Sequence, residues 1–96
     1  MSEFKFYGVK IDQRYLRFDA VMARLRHSPG FIGINPGEDD ATLIFETKEH
    51  ADEFFSWRKL AHVPTLLAGY ITVPYKDIPK SRRRRLKNYL VTEESK

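Results

Sequence analysis

The chain has 96 residues, of which 42% are apolar, 14% are aromatic and none is cysteine, and its formal net charge is +4. This length suits one domain with one core, and the aromatic content argues against disorder. The lack of cysteine excludes disulfides and zinc–thiolate sites, and no apolar run approaches the roughly 18 residues of a membrane span. The first residues lack the apolar run of a signal peptide, so we expect a cytoplasmic protein that contacts no membrane.

The first half of the chain predicts a strand, a helix and a hairpin, in that order. Aromatic and β-branched residues over 4–11 are typical of a strand. Asp12 is placed to cap a helix over 13–27, which a Ser-Pro-Gly sequence ends. The core-facing stripe of this helix follows helical spacing: Phe18, Val21, Met22 and Leu25. Two short strands, at 31–34 and 41–46, flank a polar turn.

The second half adds a helix and a strand. In the strand at 41–46, Leu43 and Phe45 fall on one face because side chains alternate along a strand. Thr47 is placed to cap a second helix. The apolar face of that helix consists of Ala51, Phe54 and Phe55. A fourth strand over 66–73 completes the order β-α-β-β-α-β.

With right-handed crossovers, this order predicts a ferredoxin-like α+β fold. It has a four-stranded antiparallel sheet with two helices on one face. We expect residues 1–75 to form this single domain and to hold all of its core residues. Residues 76–96 are expected to be a basic C-terminal arm, in which 82–90 forms a short helix capped by Ser81.

The charge is distributed unevenly along the chain. Residues 1–30 carry a net +3, residues 31–75 a net −4 and residues 76–96 a net +5. Six of the eight residues over 80–87 are cationic and include four consecutive arginines. Such a run repels itself unless water, salt or an anionic partner screens it, and arginine forks bind phosphate in bidentate fashion. Three interpretations stay open: nucleic-acid binding, a solvated tail, and docking on an acidic protein surface that includes the chain's own 38–53 segment.

The candidate nucleic-acid contacts are the cations of the arm and two arginines of the first helix. In the arm they are Lys80, Arg82, Arg83, Arg84, Arg85 and Lys87. Arg17 and Arg24 lie seven residues apart, so on one helix they would share a side and could extend the basic patch. Phosphate contacts of this kind provide affinity without sequence preference.

Candidate protein contacts are an aromatic residue and an acidic turn. Trp57 lies off the apolar stripe of the second helix, where it could cover a sheet edge or meet a partner or a second copy of the chain. The acidic turn consists of Glu38, Asp39 and Asp40. It lacks the alternating ligand pattern of a calcium loop, and the three histidines match no metal-binding spacing. We therefore expect no metal and no cofactor.

Two segments resemble known families. Residues 41–51 resemble the third strand and second-helix start of an RNA-recognition motif. That family stacks bases on exposed sheet aromatics, whereas the corresponding positions here are Asp40 and Thr42, which cannot stack. Residues 29–33 and 45–58 resemble the Pro-Gly-Phe strand entry and the strand-then-aromatic-helix segment of the antibiotic-biosynthesis monooxygenases, which are dimeric α+β barrels. No haem or oxidation residue can be carried across.

The sequence favours a small non-catalytic binding module that contacts nucleic-acid phosphates through its basic arm. No serine lies in a nucleophile motif, and no glycine-rich phosphate loop is present. A protein-binding modulator or inhibitor, such as one encoded by a phage or mobile element, is the first alternative. A dimeric α+β barrel enzyme is the second.

Overall fold

A computed structural model describes residues 2–60 and 62–92 of the chain. The strands are β1 (Ser2–Asp12), β2 (Phe31–Pro36), β3 (Asp40–Phe45), β4 (Leu67–Pro74) and β5 (Leu90–Thr92). The α-helices are α1 (Asp19–Arg26), α2 (Lys48–Phe55) and α3 (Lys80–Arg83), and 3-10 turns lie at Gln13–Arg17, Arg58–Leu60, Tyr75–Asp77 and Lys87–Tyr89. None of the helices in these described ranges has the length and apolar composition that crossing a bilayer requires.

Four strands form one antiparallel sheet in the order β2-β3-β1-β4. One edge of β1 pairs with β4 over residues 3–10, and the other edge pairs with β3 over residues 7–12. The fifth strand, β5, pairs with residues 2–4 of β1, on the edge that β3 leaves open. The structure thus confirms a small α+β fold with a four-stranded antiparallel sheet and helices α1 and α2, and it adds a strand that the sequence did not predict.

The main core lies between one face of the sheet and the helices α1 and α2. Val9 and Ile11 of β1 lie on this face together with Leu43 and Phe45 of β3. The helices add four buried side chains: Val21, Leu25, Ala51 and Phe54. The predicted core is confirmed for Val21, Leu25, Leu43, Phe45 and Phe54, whereas Met22 and Phe55 are half-buried and pack against it.

The prediction of a single helix over 13–27 is wrong. Residues 13–17 form a 3-10 turn capped by Asp12, whose carboxylate accepts a hydrogen bond from the Arg14 N–H at 3.0 Å. Phe18 then takes an extended conformation with φ −82° and ψ 120°, and α1 begins only at Asp19. Because Phe18 precedes the helix, its ring does not continue the apolar stripe and stays 60% exposed.

A second, smaller core lies on the opposite face of the sheet. Phe4 and Phe6 of β1 pack there against Ile78 and Leu86, and all four side chains are buried. The expectation that every core residue precedes position 75 is therefore wrong. The predicted helix over 82–90 is also wrong. The helix α3 begins one residue before Ser81, which does not cap it, and Leu90 starts a strand.

Candidate nucleic-acid interface

The residues after β4 form a basic segment, here defined as residues 76–92, that is fixed to the sheet by apolar contacts. Ile78 and Leu86 insert against Phe4 and Phe6. Next to the segment, the ring of Tyr75 stacks on that of Phe4 with centroids 5.6 Å apart and planes inclined by 8°. A segment with seven cations and one acid is thus held to the fold by its few apolar residues.

Two of the consecutive arginines bind backbone carbonyl groups. Arg82 Nη1 donates to the carbonyl oxygen of Ile32 in β2 at 2.8 Å, which ties α3 to the sheet. Arg83 Nε donates to the Ile78 carbonyl at 2.8 Å, and its guanidinium lies 4.3 Å from the centre of the Tyr75 ring. Both side chains are half-buried. Their hydrogen bonds to Ile32 and Ile78 help to hold the basic segment in place.

A third arginine pairs with a buried carboxylate. Arg85 Nη1 lies 2.8 Å from Glu46 Oε2, and the Tyr89 hydroxyl donates to Glu46 Oε1 at 3.0 Å. Glu46 is only 8% exposed, so both of its oxygens need such partners. Glu46 belongs to the acidic 38–53 segment, which means that the basic segment docks in part on the chain itself.

The Glu46 contact makes folding stability sensitive to alkaline pH. Burial, followed by the hydrogen bond to Glu46, raises the pKa of Tyr89 above its ordinary value of 10.0. The folded state therefore keeps the phenolic proton to higher pH than the unfolded state does. The stability that this proton provides is fully present below pH 10.0 and is lost as the pH rises through the raised pKa.

We expect the difference in unfolding free energy between the wild type and Tyr89→Phe to be constant up to about pH 9 and to shrink above the ordinary tyrosine pKa of about 10. Phenylalanine keeps the ring against Phe6, whose centroid lies 5.8 Å away, and removes only the hydroxyl. Urea unfolding of both proteins at neutral and alkaline pH measures this difference. A gap that stays constant across the alkaline range would contradict the assignment.

Four cations of the basic segment have exposed side chains that form no hydrogen bond or ion pair with residues 2–60 or 62–92. They are Lys76, Lys80, Arg84 and Lys87, of which the last three lie on α3 or shortly after it. The helical path continues beyond α3, because the Leu86 N–H donates to the Arg82 carbonyl at 3.1 Å. Lys80 and Arg84 are four residues apart on this path and therefore lie on one side of it, and Lys87 begins the 3-10 turn that follows. We call these three residues the cationic stripe.

No protein-family model, curated protein or solved structure matches the chain. Its function is therefore inferred from its own residues and their contacts.

Arg17 and Arg24 do not join the cationic stripe. They lie on separate elements, since Arg17 ends the 3-10 turn before α1 whereas Arg24 lies within α1. The helix α1 covers the face of the sheet opposite to the basic segment. The Arg24 guanidinium lies 5.2 Å from the centre of the Trp57 ring, and Trp57 is half-buried against the main core. The prediction that Trp57 contacts a partner stays a prediction.

The acidic turn lies far from the basic segment. Asp40 pairs with Asp12 at the end of β1, whereas Leu90 pairs with Phe4 near its start. Glu38 and Asp39 are exposed, and the Asp40 carboxylate lies 4.0 Å from Lys10 Nζ. In the described ranges, no three His, Asp or Glu side chains are grouped to hold a metal ion. The acidic turn and the basic segment thus lie toward opposite ends of β1.

Sequence reasoning missed the residues that build the interface. Glu46, Ile78, Leu86 and Tyr89 were not identified as its supports. A signal was nevertheless present, because Ile78, Arg82 and Leu86 recur every four residues within the charged segment. That spacing predicts a helix with one buried side. The many charged residues around these three positions made the pattern hard to recognise.

Proposed function

We propose that the protein is a non-catalytic nucleic-acid-binding module that contacts phosphates through its cationic stripe. The fold proposed for this module is ferredoxin-like. That fold is supported by the strand order, in which β1 and β3 are central, and by the two helices that connect β1 to β2 and β3 to β4.

The observation that carries the proposal is the stripe itself. Lys80 and Arg84 lie one helical turn apart, Lys87 follows in the next 3-10 turn, and no acidic residue in the described chain neutralises their three charges. Like charges at this spacing repel one another, by a few tenths of a kcal/mol per pair on an isolated helix. A row of phosphates would offset that repulsion, because each cation would then gain a charge-assisted hydrogen bond.

The supporting contacts hold the stripe in a defined position. Leu86 is buried beneath it, and Arg82 and Arg85 tie the same segment to Ile32 and Glu46. Cations presented on a folded surface lose less conformational freedom on binding than cations on a disordered tail. This geometry divides the six proposed arm contacts into three that support the fold and three that face outward.

Contacts of this type imply binding without sequence preference. Lysine and arginine bound to phosphates fix position and charge, whereas sequence is determined at base edges. Asp40 and Thr42, the positions that correspond to base-stacking aromatics in RNA-recognition motifs, provide no ring. The proposed ligand is therefore a nucleic-acid backbone, and the measurable signature of the site is salt dependence.

We expect the logarithm of the association constant to fall with the logarithm of salt concentration with a slope of roughly −3, because each of three neutralised phosphates contributes about −0.9. Replacing Lys80, Arg84 and Lys87 together with alanine should remove most of that slope and weaken binding equally for unrelated sequences. Fluorescence anisotropy with a labelled duplex and a labelled single strand, at several salt concentrations, measures both quantities.

A matched control separates the stripe from net charge. Replacing Arg14, Arg26 and Arg58 with alanine also removes three exposed cations, but from the turn before α1, from α1 itself and from the turn after α2. This control should keep most of the slope. Equal losses in the two triple variants would mean that net charge alone drives binding. If the wild type binds neither nucleic acid at low salt, the proposal fails and the protein-binding modulator takes its place.

A further inference from the structure

The strand β4 has an open edge that nothing in the described chain covers. It is the last strand in the sheet order, and its whole length pairs on one side only, with β1. Its register with β1 runs from Glu3 opposite Pro74 to Lys10 opposite Leu67 without a bulge. Residues 66–74 contain no charged side chain. Natural proteins usually protect such an edge with lysine, proline or a bulge.

The other edge strand, β2, shows that protection. Its pairing with β3 shifts between Phe31 and Gly33, and it ends at Pro36 beside the acidic turn. In β4 the only proline is the last residue, and large side chains on it or directly before it remain in water: Leu66 is 56% exposed, Leu67 64% and Tyr70 51%. The two edges of the sheet therefore differ, and in the described chain β4 is the longer, more regular and less protected of the two.

We propose that β4 pairs with β4 of a second copy of this chain, in antiparallel orientation, to form a homodimer with one continuous eight-stranded core sheet. An uncharged strand selects neither an acidic nor a basic partner, and a second β4 meets it without like-charge repulsion. The nearest cation, Lys5, lies one strand further in, with its Nζ 5.8 Å from the centre of the Tyr70 ring. This interface is independent of the cationic stripe.

The alternation of side chains restricts the register of this pairing. Residues directly opposite each other in a ladder share a face, as Phe6 and Ile71 do in the existing pair. A two-fold axis perpendicular to the sheet places the same face of both copies on the same side of the joined sheet. Odd-numbered residues of one β4 must then lie opposite odd-numbered residues of the other, and even-numbered residues opposite even-numbered ones. Centring the axis on Tyr70 pairs residues 67–73 of the two copies and leaves Pro74, which has no N–H, outside the ladder.

Side-chain sizes fit that register. It places Gly69 of one copy opposite Ile71 of the other, and a side chain built at Gly69 meets nothing within 4 Å. In this register the Ile71 side chain of one copy therefore occupies the open space above Gly69 of the other. Tyr70 of one copy lies opposite Tyr70 of the other, on the face that also carries Tyr7, with which it makes an edge contact at 5.0 Å. Aromatic cross-strand pairs stabilise sheets.

A single strand edge is a small interface, so we expect a weak, concentration-dependent dimer. In sedimentation equilibrium, the mass should rise from 11.3 kDa toward twice that value with increasing concentration. Tyr70→Lys places like charges opposite each other and should abolish the rise, as should Tyr70→Glu. An equimolar mixture of these two variants should restore association. The exposed position makes both changes compatible with folding, which circular dichroism would verify.

The lack of cysteine allows the register to be tested directly. Under mild oxidation, Tyr70→Cys should cross-link to its own copy, because opposite Cα atoms lie about 4.5–5.5 Å apart, within disulfide range. Thr72→Cys, at another exposed position, should not, since its copies would be offset by four residues, or roughly 14 Å along the strand. A wild type that keeps the mass of one chain at every concentration would overturn the proposal. Cross-linking of Thr72→Cys as efficient as that of Tyr70→Cys would overturn the register.

Discussion

Replacing Phe45 with alanine is expected to lower the free energy of unfolding by about 3–5 kcal/mol. The Phe45 side chain is completely buried at the end of β3. Its ring lies 5.8 Å from that of Phe31, 5.7 Å from that of Phe54 and 6.3 Å from that of Phe55, measured between centroids. Alanine would leave a cavity among three rings that belong to β2 and α2, so the surroundings could close it only in part.

Urea unfolding followed by circular dichroism measures this loss, and Phe18→Ala is its matched control. The same side chain is removed there from a position that is 60% exposed, where we expect a change within about 0.5 kcal/mol. A loss below about half a kcal/mol for Phe45→Ala would mean that the register of β3 or the packing of α2 is wrong.

Replacing Leu86 with alanine is expected to cost about 2–5 kcal/mol. Leu86 lies in the basic segment, yet none of its surface is exposed, and it packs against Phe4 and Phe6. The loss should appear in the unfolding of the whole protein, because β1 contributes to both cores. Arg84→Ala, two residues earlier and exposed, is the control and should change stability by less than about 0.5 kcal/mol. Equal stability of the two variants would show that the basic segment is detached from the sheet.

This packing changes how the arginines can be tested. Replacing Arg82 to Arg85 together would remove a carbonyl contact to Ile32, the partner of buried Glu46 and one outward cation at once. A fall in both stability and nucleic-acid binding would then have two explanations. Changing Lys80, Arg84 and Lys87 leaves the supporting contacts intact, so binding and stability can be measured separately.

Strands β1 to β4 and the second helix could be predicted because local signals agree there with the tertiary structure. Leu43 and Phe45 alternate with polar or half-buried residues, and both are buried. Thr47 caps α2 through the His50 N–H, as its position predicts. The first helix failed at Phe18, where an apolar residue at the right spacing lies one position before the helix begins. Spacing alone cannot distinguish a helical residue from its extended neighbour.

The candidate site was predictable in composition but not in arrangement. A run of four arginines indicates an anionic partner, but their actual partners are distant in sequence: Ile32 lies 50 residues from Arg82, and Glu46 lies 39 residues from Arg85. No local pattern encodes such contacts, because they arise only when the basic segment folds back across the sheet. Only the structure shows that Arg82, Arg83 and Arg85 hold the basic segment to the fold, whereas Arg84 belongs to the cationic stripe.

The pairing of Phe4 with Leu90 has a consequence for the order of events during synthesis. In the described structure, Ile78 and Leu86 are the buried residues that pack on Phe4 and Phe6, so both rings stay partly in water until Ile78 and Leu86 have left the ribosome. The main core draws its buried residues from positions 9–60 and can assemble earlier. Contacts that span most of a chain close slowly, because a long loop must be ordered before they form. Each newly made copy therefore exposes two adjacent phenylalanine rings for that interval, and such transient apolar surface is what chaperones bind.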